Sequence, residues 1–161
     1  MSERLTHLDE AGKARMVDVS AKAITTREAI AEGRVRMSRS AFDLARTGST
    51  PKGDIRAVAE IAGVMAGKRT SELVPLCHPL PLSSLVVEVN PDETTTSFVI
   101  TARARTTAQT GVEMEALTAV SVACLAVYDM LKAMDRAMTI DGIQLVSKSG
   151  GASGDFQRPS S

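Results

Sequence analysis

The stretch LVVEVNPDETTTSFVITARART, from Leu85 to Thr106, contains two short runs with the residue pattern of β-strands. Leu85 to Val89 is β-branched, and residues 83–84 (Ser-Ser) and 90–91 (Asn-Pro) bound it. Because only Pro-Asp-Glu-Thr-Thr-Thr separates it from the run Ser97 to Thr106, the two runs are predicted to form a hairpin. The second run alternates strictly, with Phe98, Ile100, Ala102 and Ala104 on one face and Val99, Thr101, Arg103 and Arg105 on the other.

Outward from this hairpin, the hydrophobic patterns predict two further strands and three helices. The predicted elements are a strand at residues 25–37, helices at 40–46, 54–68 and 113–134, and a strand at 140–148. Merging the first two helices gives the split β-α-β pattern. We therefore expect an α+β fold with a ferredoxin-like antiparallel sheet and its helices packed on one face. In the second helix, Ile55, Val58, Ala62 and Met65 share one side, which we expect to face inward.

The long helix is apolar almost all round, which raises the question of what covers it. One stripe consists of Leu117, Cys124, Tyr128 and Leu131, and the other of Ala116, Val120, Ala123, Val127 and Met130. Because one sheet covers only one stripe, the second predicts a subunit interface and hence an oligomer. The alternative is that the shorter helices cover it.

Length and composition limit the class of protein. A chain of 161 residues fits a single domain, placed here at 15–156 between a mobile tail at 1–14 and a disordered tail at 157–161. Nineteen basic residues balance nineteen acidic ones and aromatics make up 2%, so no nucleic-acid partner is expected. No apolar run of about 18 residues predicts a membrane span. Two cysteines without a C-x-x-C pair predict reduced thiols and a cytoplasmic location.

Cys77 and His78 are neighbours, and Pro75 and Pro79 fence them. Such a pair has three interpretations: metal ligands, a nucleophile with its base, or no chemical role, in which case the loop can still shape a pocket wall. A metal site needs more ligands than these residues, His7 and the distant second cysteine supply, so we expect no metal. Nothing nearby indicates a lowered thiol pKa. The two prolines restrict the main chain, which favours a stiff loop that presents Leu76 to His78 to a ligand.

Several charged residues stand where they favour binding or proton transfer. Lys52 precedes a helix N-terminus, a position that favours anions, although an exposed loop lysine is the simpler interpretation of this position alone. Thr110 and Glu113 match a capping box, with Thr110 at the N-cap. Glu115 begins an apolar helix, where its carboxylate suits paired donors such as those of guanine, or else simply complements the helix dipole. Lys148 precedes Gly150-Gly151, where the backbone can approach an anion closely.

Asp129 and Lys132 are three residues apart near the end of the long helix. Their apolar neighbours predict a partly buried pair that tunes the lysine for proton transfer, whereas a surface ion pair is the simpler interpretation. Glu115 precedes Asp129 by fourteen residues, about 21 Å along the helix axis. If both ends belong to one site, either the ligand is long or two subunits each supply one end.

Seven segments, taken in order, resemble one known family. They are MVDVSAK (16–22), PKGD (51–54), AGKRT (66–70), LCHPL (76–80), TGVEMEALTA (110–119), YDMLKA (128–133) and KSGGASGDF (148–156). On these residues the chain resembles the cyclic pyranopterin monophosphate synthase family, the C proteins of molybdenum cofactor biosynthesis, from about residue 5 to 156. The TGVEMEAL and LCHPL blocks together are specific.

The resemblance implies a lyase that converts 3′,8-cyclo-7,8-dihydro-GTP to cyclic pyranopterin monophosphate with release of pyrophosphate. It implies a homohexamer, a trimer of dimers with active sites between subunits, and no cofactor, with magnesium on the triphosphate left open. By position it makes Asp129, Lys132 and Lys52 catalytic. It also implies a set of substrate-binding residues: Leu76, Cys77, His78, Glu113, Met114, Glu115 and Lys148. The chain departs from the family pattern at Ala108-Gln109, where Gly-Lys is frequent, and at Ser49-Thr50.

A second function also fits a ferredoxin-like scaffold. A non-catalytic regulatory module that binds a nucleotide needs the glutamates and backbone groups that hold a base, but it has no need of the Asp129–Lys132 pair. Product formation from the cyclised GTP distinguishes the two functions.

Overall fold

The computed structural model describes residues 11–48 and 53–159. Within these residues nine elements follow one another: β1 (Thr25–Arg36), α1 (Arg39–Arg46), α2 (Ile55–Gly67), α3 (Thr70–Leu73), β2 (Leu82–Asp92), β3 (Ser97–Ala108), α4 (Glu113–Leu131), β4 (Thr139–Ser149) and β5 (Phe156–Gln157). The strands form one five-stranded antiparallel sheet in the order β2-β3-β1-β4-β5. The α+β prediction is confirmed, with α3 and β5 as additional short elements.

The predicted hairpin is confirmed, but its strands are longer than the alternating runs. β2 extends through Pro91 and Asp92, which pair with Phe98 and Ser97, so the turn contains only residues 93–96. Arg34 of β1 donates from Nη1 to Asp92 Oδ2 at 2.7 Å and to the Thr95 hydroxyl at 2.6 Å. This ion pair ties the turn to the neighbouring strand.

The sheet buries the face that the alternation predicts, and the helices pack on that face. Phe98, Ile100, Ala102 and Ala104 of β3 are all buried. α1 places Phe42 against Phe98 with ring centroids 5.5 Å apart. β1, the middle strand of the sheet, has Gly33 at the point where α4 crosses it. A Cβ on Gly33 would lie only 2.7 Å from Val120 Cγ1 of α4, so a larger residue would not fit there. The small residue lets the long helix lie directly on the strand.

The prediction of which side of α2 faces the core holds only at the first residue of the helix. Ile55 is buried, but Val58 and Met65 are exposed, and the buried side instead consists of small residues: Ala59, Gly63, Ala66 and Gly67. The physical reason is close approach to another helix. α2 packs against α4, and small side chains let the two main chains come together, whereas larger ones would hold them apart.

That contact also decides how α4 is covered. The sheet covers Val120 and Cys124, while Ala119 and Ala123 face Gly63 of α2. The alternative of coverage by a shorter helix therefore explains part of the second stripe, and Leu125 remains 57% exposed. α4 ends at Leu131, three residues earlier than predicted.

α4 is, among the described residues, the one helix long and apolar enough to cross a membrane by length and composition. Much of it lies in the core, as expected of the central helix of a globular domain.

At the C-terminus, Arg158 donates its main-chain N–H to the Val146 carbonyl at 2.8 Å. The paired chain thus continues past residue 156, where the sequence places the domain boundary.

Candidate active site

The packing of α2 on α4 brings the Pro-fenced loop to the start of α4. A Cβ on Gly67 would lie 3.1 Å from the Glu115 carbonyl oxygen, so the last turn of α2 touches the first turn of α4. Just beyond, the buried Thr70 donates its hydroxyl to the Gly67 carbonyl at 2.9 Å and turns the chain into α3. The loop that follows α3 is thereby held next to residues 110–115.

Between this loop and α4 lies a cavity of about 280 Å³. Six of the seven residues predicted to bind substrate line it: Leu76, Cys77, His78, Glu113, Met114 and Glu115. The fold therefore brings together two segments more than thirty residues apart, as the pocket-wall interpretation of the loop requires. Leu80, Thr110 and Gly111 complete the lining.

Glu115 is the most strongly perturbed acid in the cavity. It is only 5% exposed, and burial raises the pKa of Glu115 to about 7, with the charge of Glu113 adding to the shift. A carboxyl group with such a pKa is present in both protonation states near neutral pH. It can therefore accept hydrogen bonds from a ligand or donate a proton to one.

The environment of Cys77 makes its thiol less acidic, not more. Burial, and secondly the charge of Glu115, raise the pKa of Cys77 above its usual value. The expectation that this residue is not a nucleophile agrees with that direction, because nucleophilic cysteines need a lowered pKa. His78 beside it is half-buried and faces two adjoining cavities.

Glu113 does not form the predicted capping box. α4 begins at Glu113 itself, its N-cap residue is Val112, and no side chain in the described part of the chain caps the helix. The carboxylate of Glu113 instead lies against Gly111 and makes an ion pair with Lys148, with 3.4 Å between Oε1 and Nζ. Lys148, the seventh predicted binding residue, thus stands beside the cavity.

Asp129 and Lys132 form an ion pair at 2.6 Å, but the pair is not partly buried as predicted. Their side chains are 64% and 54% exposed, because the helix turns this side to solvent in the single chain. The hydrogen bond that Lys132 donates to Asp129 raises the pKa of Lys132 above its usual value. The pair lies in the last turn of α4, at the far end from Glu115.

Two further expectations concern Lys52 and metal binding. Lys52, the third predicted catalytic residue, lies outside the described residues. Nearby, Asp54 caps α2 by accepting from the main-chain N–H groups of Arg56 and Ala57. In the ranges 11–48 and 53–159, no three His, Cys, Asp or Glu side chains cluster so as to hold a metal ion.

Sequence reasoning missed part of the lining. Thr110 and Gly111 were assigned to a cap, but they form cavity wall, and only the position of α4 reveals this. It also missed Arg27, a buried cation on β1 whose strand alternation signals burial but whose charge signals exposure.

The cavity combines a buried carboxyl group of pKa about 7 with a neighbouring lysine–glutamate pair, an arrangement typical of small-molecule sites in α+β proteins. The chain belongs to the MoaC family, which it matches over residues 16–151.

Curated relatives are similar over almost their whole length. The cyclic pyranopterin monophosphate synthase of Chloroflexus aggregans is 58% identical over 159 residues, covering 99% of this chain and 96% of the relative. The synthase of the same name from Thermomicrobium roseum is 59% identical, covering 96% and 93%. That from Nostoc sp. is 54% identical, covering 98% and 94%.

Proposed function

We propose that this chain is a cyclic pyranopterin monophosphate synthase, a lyase of molybdenum cofactor biosynthesis. Its substrate is 3′,8-cyclo-7,8-dihydro-GTP, and it releases pyrophosphate. The observation that carries the proposal is the near full-length identity of 54–59% to relatives of that name. The cavity supports it, because residues of the two family-specific blocks line one space.

The chemistry of the cavity fits the first half of such a reaction. Rearranging a purine into a pyranopterin requires proton transfers to nitrogen and oxygen atoms. Glu115, with a pKa of about 7, can face the base and exchange a proton with it near neutral pH. Glu113 and Lys148 offer an acceptor and a cation at the rim. Leu76 and Met114 supply apolar wall.

Asp129 and Lys132 complete the site only if a second subunit brings them to it. Along the axis of α4, Asp129 lies about 21 Å and Lys132 about 25 Å from Glu115, too far for both ends to serve one nucleotide base within the same chain. We propose that the active site lies between subunits, and that Lys52 joins Asp129 and Lys132 there. The assembly that we propose is the one that the family resemblance implies, a homohexamer built as a trimer of dimers.

Exposed apolar side chains support the assembly. The outer sides of α2 and α4 and the end of α3 carry several: Ile61, Met65, Leu73 and Leu125 are all more than half exposed. An apolar surface of this kind is typical of subunit contacts. The element order and the strand order β2-β3-β1-β4 support a ferredoxin-like subunit. Two free cysteines, Cys77 and Cys124, fit a cytoplasmic location.

The activity is tested by incubating the protein with 3′,8-cyclo-7,8-dihydro-GTP and measuring pyrophosphate. Release of pyrophosphate with formation of the cyclic phosphate supports the synthase. Binding of the nucleotide without product would contradict it and favour a regulatory module.

The shared site is tested by mixing two inactive variants, Glu115→Gln and Asp129→Asn, under conditions of subunit exchange. Each variant keeps one intact half of the site, so mixed assemblies contain some complete sites and should regain measurable turnover. Mixed assemblies, verified by mass spectrometry, that remain inactive would contradict a site built from two subunits. Two preparations of the same variant, mixed in parallel, are the control.

A further inference from the structure

β2 forms one edge of the sheet, so within the described residues one side of its main chain faces no other strand. The strand is 11 residues long, and its stretch from Leu85 to Val89 is apolar and mostly β-branched, with Glu88 as the one charged residue. The N–H and C=O groups along such an edge are a template for pairing with another extended chain. An edge of this kind promotes association unless other groups occupy it.

Two side chains of α2 occupy the outward main-chain groups of Val89. Arg56 donates from Nε to the Val89 carbonyl at 2.8 Å, and Glu60 Oε1 accepts from the Val89 N–H at 3.1 Å. Arg56 and Glu60 are one helical turn apart, a spacing at which opposite charges can pair with each other. In the part of the chain that the structure describes they form no such ion pair, and both side chains bind the strand instead. We call Arg56 and Glu60 the edge clamp.

The positions on either side of the edge clamp are also unsuited to pairing. Strand alternation directs the nitrogen of residue 91 to the same side as that of Val89, and Pro91 has no N–H to donate. At the other end of β2, the register with β3 shifts between Leu82 and Ser84. Such an irregularity interrupts the even spacing of main-chain groups that a further strand needs. The part of β2 left for pairing is therefore short, residues 85–87.

The opposite edge of the sheet is protected in a similar way. β5 has only 2 residues, and beyond it Arg158 donates from Nε to the Leu145 carbonyl of β4 at 2.8 Å. An arginine Nε thus occupies an outward strand carbonyl at each edge. Short edge strands and covered main-chain groups are devices by which proteins avoid pairing between sheets.

We propose that the edge clamp of Arg56 and Glu60 prevents β2 from pairing with β2 of a second copy of this chain. The second copy is the partner because every copy presents the same edge, and antiparallel pairing about a two-fold axis satisfies both main chains. Such pairing uses a different surface from the exposed apolar sides of α2 and α4. The edge clamp therefore limits which surface the chain uses for assembly, a role that is independent of the proposed activity.

The test removes the edge clamp from the full-length protein without changing its net charge. In the double variant Arg56→Ala/Glu60→Ala, alanine is a good helix former, so α2 should persist. Sedimentation velocity over a range of concentrations should show species of roughly twice the mass of the wild-type assembly or more. The matched control is Arg39→Ala/Asp43→Ala, which removes an exposed pair of the same charges from α1 and should keep the wild-type mass.

Further variants separate the edge from other causes of association. Glu60→Gln keeps an oxygen acceptor and should keep the wild-type mass. Glu60→Ala should accelerate hydrogen exchange of the Val89 amide roughly tenfold at low protein concentration, since one hydrogen bond is lost. Val86→Lys, at an exposed position of β2, should restore the wild-type mass when added to the double variant, because a lysine on an edge strand opposes pairing.

A folded double variant that keeps the wild-type mass at every concentration would overturn the proposal. Larger species that persist after addition of Val86→Lys would also overturn it, because association would then use another surface. Circular dichroism checks that the double variant folds. If it does not, Glu60→Ala decides the question, since an unchanged mass together with unchanged exchange of the Val89 amide contradicts the edge clamp.

Discussion

Gly67, in the last turn of α2, lies directly against the main chain of Glu115, in the first turn of α4. A Cβ on Gly67 would come within 3.1 Å of the Glu115 carbonyl oxygen and within 2.5 Å of a Leu85 methyl group. This contact joins the packing of the helices to the position of the most perturbed acid in the cavity. The fold and the site therefore share one structural requirement, the absence of a side chain at residue 67.

Gly67→Ala should destabilise the protein even though alanine is the better helix former. Overpacking at a well-packed site costs about 1–3 kcal/mol, more than the roughly 1 kcal/mol that alanine gains over glycine in a helix. We expect a net loss of about 1 kcal/mol in the free energy of unfolding, measured by urea denaturation. Turnover should also fall, because Glu115 is displaced.

The matched control is Ala57→Gly at an exposed position of the same helix. It should lose about 1 kcal/mol through helix propensity alone and leave turnover unchanged. A Gly67→Ala protein that is more stable than wild type would show that the two helices are not in close contact there.

The raised pKa of Glu115 predicts a pH dependence of stability. Its pKa is about 7 in the folded chain and near 4.5 when unfolded, so the folded state binds the proton more tightly. The stabilisation is complete below about pH 4.5 and is lost as the pH rises through 7, a loss on the order of 3 kcal/mol. Urea denaturation between pH 5 and 8 should therefore show Glu115→Gln gaining stability relative to wild type as the pH rises.

The control for this titration is Glu72→Gln, which removes an exposed acid from α3. Its stability should follow that of the wild type across the same pH range. A constant difference between Glu115→Gln and wild type from pH 5 to 8 would mean that Glu115 does not titrate in this window.

Local patterns predicted the sheet well because strand alternation and burial have the same period. Phe98 to Ala104 alternate in sequence and in burial, so the hairpin and its inner face follow from the residues alone. The cavity lining was also predicted, but through resemblance. Nothing in the spacing of Leu76 and Glu115 indicates that they meet.

The errors arose where a tertiary contact outweighs a local pattern. Hydrophobicity favoured Val58 and Met65 as the inner side of α2, but the close contact with α4 selects Gly63 and Gly67 instead. The capping box at Thr110 does not form, and Glu113 instead pairs with Lys148 of the distant strand β4. Neither contact leaves a signal in the sequence near the residues that it affects.

The hairpin turn contains a strained residue that can be relieved. Thr96 has φ 50, a left-handed conformation that is unfavourable for a β-branched side chain. Asparagine tolerates this region better, so Thr96→Asn should raise the free energy of unfolding by about 0.5–1 kcal/mol. The bond from the Met37 N–H to the Thr96 carbonyl at 3.2 Å uses the main chain and should remain.

Thr94→Asn, at an exposed turn position without positive φ, is the control for the Thr96 variant and should change stability little. Both variants are compared by urea denaturation. If Thr96→Asn were no more stable than Thr94→Asn, the turn would not hold Thr96 in the left-handed region in solution.

The exposed pair of Asp129 and Lys132 should matter for turnover and not for stability. Because both side chains are largely in water, Asp129→Asn should leave the unfolding midpoint unchanged. If the pair transfers protons at an intersubunit site, turnover should fall about 10²-fold or more. The hydrogen bond that Lys132 donates to Asp129 raises the pKa of Lys132, so the loss of this bond should shift the alkaline limb of the rate profile to lower pH. Arg39 and Asp43 form a comparable exposed pair on α1, and Asp43→Asn is the control. Equal turnover in the Asp129→Asn and Asp43→Asn proteins would remove Asp129 from the catalytic residues.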